Sequence, residues 1–97
     1  MYEQLVKQLE EFLANYNKDL SNVEYCDENG YTKHDAVFDR ILFIDFCDYL
    51  DVINKFNLWE ELNDDMDKDV ESVEYDRATE TWNVLCDMVD KKVEAYL

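Results

Sequence analysis

A chain of 97 residues has the size of one domain. Its 47% hydrophobic and 14% aromatic content excludes the disordered acidic tail that 25 acidic against 9 basic residues, net −16, would otherwise suggest. That charge argues against direct contact with nucleic acid or an anionic membrane. It also exceeds the magnitude of about 2–8 that keeps a small domain soluble, so it calls for a basic partner or a high-salt habitat.

Residues 1–17 predict an amphipathic helix, with Tyr2, Leu5, Val6, Leu9, Phe12, Leu13 and Tyr16 on one face. In 17–33, Asn29-Gly30 marks a turn between Val23-Glu24-Tyr25 and Tyr31-Thr32-Lys33. Either a short β-hairpin or a loop with one Asx-type turn fits. An EF-hand does not: Gly30 at loop position six puts Tyr25 and Ala36 where oxygen ligands belong.

Residues 36–53 form the most apolar stretch and predict the helix around which the rest packs. Phe38, Leu42, Phe46, Tyr49, Leu50 and Ile53 share one face. Val37, Ile41 and Ile44 make the other face apolar in the first half, and Asp45, Asp48 and Asp51 replace them as a solvent-facing acidic edge in the second. Asn54 to Asn57 break this helix, and Leu58 and Leu62 bury one side of a short one.

Residues 63–76 are the densest acidic run: Asp64, Asp65, Asp67, Asp69, Glu71, Glu74 and Asp76, opposed by Lys68. Val70 stands where a calcium loop starting at Asp65 needs glycine, so no dedicated calcium site is expected. Val73 and Tyr75 alternate as in a short strand. Residues 78–97 predict the cleanest helix, capped by Asp76 or Thr79, with Ala78, Trp82, Leu85, Val89, Val93 and Tyr96 inward. Glu80, Asp87, Asp90 and Glu94 lie on its outer face. The expected fold is mainly α, a compact single-domain bundle of three to four helices around the central apolar one. Phe46 and Trp82 should lie well inside it. A true hairpin would make it α+β.

No catalytic set emerges. His34 is the sole histidine, Gly30 the sole glycine, and Cys26, Cys47 and Cys86 share no metal or redox spacing. The expectation is a cytoplasmic non-enzyme with reduced thiols, without signal peptide, membrane span, metal or cofactor.

The order of features resembles DNA-mimic anti-restriction proteins of phages, the overcome-classical-restriction type, with anti-CRISPR DNA mimics as near neighbours. The likeness runs through the N-terminal amphipathic helix, Asn22-Val23-Glu24-Tyr25 and His34-Asp35-Ala36-Val37 opening a helix. It continues through the aromatic and acidic stretch 45–53 to the acidic C-terminal helix ending Glu94-Ala95-Tyr96-Leu97. It implies a phage protein, acting in the infected bacterial cell, that blocks the DNA channel of a restriction–modification or CRISPR enzyme. The fourteen carboxylates of the acidic edge, the 64–76 run and the C-terminal helix would then stand in for phosphates. The partner would be a basic DNA-binding protein or complex, and a homodimer stays open. The alternative from charge is an acidic antitoxin or immunity protein neutralising a basic partner.

Overall fold

The computed structural model describes residues 2–97, so residue 1 of the first predicted helix lies outside the described residues. Helix α1 (Glu3–Asn15) seals Tyr2, Leu5, Leu9, Leu13 and Tyr16 against the core, as its pattern demands. Residues 16–32 cross to the central rod without a strand. An isolated bridge joins Cys26 and Tyr31 around a single 3₁₀ turn (Asp27–Asn29), and Gly30 takes the left-handed φ of 75° that closes it. The hairpin alternative is therefore set aside: Tyr25 and Tyr31 stay exposed, and two strands with no apolar face to bury do not hold in water.

The rod consists of α2 (Lys33–Asp39), a π-helical segment (Arg40–Phe46) and α3 (Cys47–Val52). Thr32 caps it by a reciprocal box: the Thr32 hydroxyl accepts from the Asp35 N–H, and the Asp35 carboxylate accepts from the Thr32 N–H. The rod ends in a Schellman motif, in which Lys55 N–H reaches the Leu50 carbonyl at 2.8 Å and Asn54 N–H the Asp51 carbonyl at 3.1 Å. Asn54 supplies the left-handed residue, φ 59°.

The π segment is the main departure from the expected regular helix. An α-helix sets residue i+5 about 140° away from i, whereas a π turn stacks the two. Ala36, Ile41 and Phe46, and likewise Val37 and Leu42, are five apart and all buried. The same winding lays Arg40 over Asp45 and turns Ile44 outward, against the expectation that it lies inside.

Helix α4 (Phe56–Met66) and helix α5 (Val73–Glu94) complete the bundle and pack closely on each other. Both are longer than predicted. Trp59, Leu62 and Met66 carry α4 through the first acids of the run. Ser72 accepts from the Tyr75 N–H and so starts α5 ahead of Asp76 and Thr79, which makes Val73 and Tyr75 helical rather than strand. No strand occurs among the described residues.

Side-chain pairs fix the directions. His34 meets Asp90 and Phe43 meets Trp82, so the rod runs antiparallel to α5. Tyr16 meets Asp45 and Gln8 meets Tyr49, so it also runs antiparallel to α1. Phe43 and Phe46 both touch Trp59, which brings α4 onto the same core. Phe46 is fully enclosed, but Trp82 is only half-buried at the edge of this aromatic cluster; Trp59 is the tryptophan that fills the interior, at 9% exposure. The radius of gyration is 14.2 Å, against about 12.5 Å for a compact chain of this length. The excess reflects a slab of 39 × 31 × 19 Å.

Candidate functional site

The charge is concentrated on the surface, and the structure sorts the fourteen predicted carboxylates into two kinds. Asp48, Asp51, Asp64, Asp67, Asp69, Glu71, Glu74, Asp76, Glu80, Asp87 and Glu94 are exposed. Among these only Asp69 has an engaged side chain; it accepts from the Glu71 N–H at 3.0 Å and shapes the turn between α4 and α5. The other three, Asp45, Asp65 and Asp90, each hold two elements together.

Asp45 corrects the predicted acidic edge. Its side chain is 10% exposed. It accepts from the Tyr16 hydroxyl at 2.6 Å, the Lys18 ammonium at 3.3 Å and the Arg40 Nε at 3.2 Å. Burial pushes its carboxyl up, but the bonds from Tyr16, Lys18 and Arg40 outweigh it and hold the group below the ordinary aspartate value. The same burial, with the neighbouring carboxylate, raises the Tyr16 phenol, so the pair stays phenol and carboxylate at neutral pH. Asp65, 17% exposed, accepts from Lys68 at 3.0 Å and from the Tyr2 hydroxyl, which ties α1 to the end of α4. Asp90 lies 3.0 Å from His34 Nε2 and joins α5 to α2, though both side chains stay well hydrated.

The cations are thus drawn to the enclosed acids. Among the described residues Lys18, Arg40 and Lys68 are the lysines and arginine in ion pairs, and they serve only Asp45 and Asp65. The exposed carboxylates of the predicted set are left without ion pairs among the described residues, although Lys68 also feels Asp64 and Glu74 and Lys91 stands between Asp87 and Glu94 on α5.

Helix α5 carries the most regular part of it. Glu80, Asp87 and Glu94 recur every seven residues, so they form a line with a step of about 10 Å on a rigid element. Glu74 and Asp76 crowd its first turn, where the positive end of the helix dipole favours acids. Asp64, Asp67, Asp69 and Glu71 continue from there to the end of α4. Sequence reasoning left out Glu60 and Glu61, which are exposed on α4 and extend the same acidic border. Their signal was their position directly before the run, hidden by reading α4 as a short separate helix.

No group of three or more His, Cys, Asp or Glu among the described residues is arranged to hold a metal ion. The dense 64–76 carboxylates are spread along a helix end, a turn and a new helix start rather than pointing to one centre. No helix among the described residues is long and apolar enough to cross a membrane. No protein-family model, curated protein or solved structure matches the chain.

Proposed function

We propose that this protein is a steric mimic of duplex DNA that occupies the basic channel of a bacterial DNA-handling defence enzyme, a restriction–modification complex or a CRISPR effector. The observation that carries the reading is the division of the predicted carboxylates: a few acids hold the fold and take the paired cations, and the exposed remainder is left without ion pairs, among the described residues, on the helices and on the turn between α4 and α5. Sixteen net charges along a 39 Å slab amount to one per about 2.4 Å. Duplex DNA carries one per about 1.7 Å of axis, and a groove of Lys and Arg built for that density meets a similar one here.

On this reading the protein works without turnover or cofactor. It steers to the channel through its field and remains there as a plug. Because it copies phosphates rather than base edges, its competition with DNA is indifferent to sequence.

The test is a pull-down from a bacterial lysate with and without added duplex. Recovery of a DNA-handling complex that duplex displaces supports mimicry. Recovery of a small basic toxin that ignores duplex would overturn it in favour of an antitoxin or immunity protein.

A further inference from the structure

The central rod turns one more face to solvent, and its polarity is inverted. Phe43 is 44% exposed, Ile44 48% and Val52 80%, while Asp45 beside them is enclosed. Ile44, Asp48 and Val52 follow at i, i+4 and i+8, and Phe43, Cys47 and Asp51 form the neighbouring row at the same spacing. Cys47, Asp48 and Asp51 line one shallow hollow with Phe56. The result is a face on which exposed apolar side chains alternate with the unpaired carboxylates of Asp48 and Asp51.

The π segment produces this face. It brings Arg40 over Asp45, draws that carboxylate into the Tyr16 and Lys18 contacts, and leaves Phe43 and Ile44 pointing out. Phe43 is held in place by Trp59 at 6.0 Å and Trp82 at 5.8 Å between ring centroids, so it is an ordered anchor. Such π segments recur at functional positions, where altered winding re-aims side chains.

Charge selects the occupant. Anionic lipid and nucleic acid are repelled by a surface of net −16. A second copy would set Asp48 and Asp51 against their equivalents and bring two such charges together. What fits is a protein segment that presents apolar side chains among lysines and arginines.

Resting on the reading above that the partner is a basic protein, we infer that Phe43, Ile44 and Val52, with Asp48 and Asp51, form the docking face for a basic amphipathic helix of that partner. The apolar side chains of that helix cover the three exposed ones, and its cations meet the two carboxylates. Apolar anchors near the centre of an interface carry residence, whereas rim charges mostly set the rate of encounter. The rod face is then the anchor, and the α5 line the steering charge.

Two synthetic peptides of equal positive charge test this: an amphipathic leucine–lysine helix and a lysine–serine peptide that cannot form an apolar face. Trp59 and Trp82 beside Phe43 report binding by fluorescence, and calorimetry confirms the affinity. The leucine–lysine helix should bind about tenfold more tightly, and Ile44→Ser and Val52→Ser should each remove much of that advantage without affecting the lysine–serine peptide. Neither residue takes part in an aromatic contact among the described residues, so both variants should fold, as circular dichroism will verify.

Equal affinity for the two peptides, or an advantage that survives both variants, would overturn the docking face and leave the electrostatic reading standing. Binding of neither peptide would overturn both. Light scattering that reveals a dimer dissolved by Ile44→Ser would overturn it in favour of a second copy on this face.

Discussion

Replacing Asp45 by alanine should destabilise the protein far more than replacing Asp48, three residues along the same rod. Asp45 is the shared acceptor of Tyr16, Lys18 and Arg40. Tyr16 is buried, so stripping its hydroxyl of an acceptor costs about 1–3 kcal/mol. The Lys18 and Arg40 side chains are 48% and 38% exposed and can rehydrate, so each adds less than about 1 kcal/mol. The total lies between about 1 and 5 kcal/mol, and its midpoint of about 3 kcal/mol corresponds to a fall in Tm of about 12–24 °C for a domain of this size. Asp48 is exposed and its side chain has no partner among the described residues. Asp48→Ala removes one repelling charge and should leave Tm unchanged or raise it. Thermal melts followed by circular dichroism in one low-salt buffer make the comparison. Equal effects of the two substitutions would refute the division between structural and free carboxylates.

The same centre sets a pH dependence. The Asp45 carboxyl is held below its ordinary value of 3.8, so its contribution is fully present above that pH and lost as pH falls through the lower folded value. The stability gap between wild type and Asp45→Asn should be constant near neutrality and shrink below about pH 4 in acid-range melts; a gap that widens there would contradict the assigned bonds. Trp59→Ala should cost about 3–5 kcal/mol and Trp82→Ala distinctly less, since denaturant titration reads how deeply each ring is enclosed. Burial pushes the Cys47 thiol up to about 11 and raises Cys86 as well, whereas Cys26 is exposed. A thiol reagent should therefore label Cys26 first and the partly buried Cys47 and Cys86 more slowly. Added monovalent salt should raise Tm over the low-salt range, and calcium should add nothing beyond matched ionic strength. A saturable micromolar calcium transition in calorimetry would contradict the spread geometry of the 64–76 carboxylates.

Much of the fold was legible because the apolar periodicity is strong. The stripe of α1, that of α5 apart from Trp82, and the wholly buried Phe46 follow from spacing alone. The rest was hidden for identifiable reasons. The acids of 63–76 masked the Trp59, Leu62 and Met66 stripe that extends α4. The alternation of Val73 and Tyr75 suggested a strand, but the cap at Ser72 decides for a helix. The five-residue spacing of the π segment is embedded in a run where nearly every position is apolar, so a regular helix accounted for it equally well.

The carboxylates were legible as a set but not in their roles. Exposure of Asp48 and Asp51 follows from helical phase, whereas the enclosure of Asp45 needs both the π winding and the approach of Tyr16 from α1. Asp65 likewise depends on Tyr2 from the far end of the chain. Contacts between residues so distant in sequence leave no local signal.

Competition for a DNA channel is read out by displacement of DNA from the enzyme that owns the channel. A fluorescent duplex is bound in turn to purified restriction–modification complexes and CRISPR effectors, and its anisotropy is followed as this protein is added. A true target should release duplexes of any sequence stoichiometrically, and its direct affinity for this protein should fall steeply as salt rises, as its affinity for DNA does. Reversal of Glu80, Asp87 and Glu94 to lysine should abolish release without unfolding the chain, because all three are exposed and none ties elements together as Asp90 does. Failure to displace duplex from any such enzyme, or displacement that the triple reversal leaves intact, would contradict it.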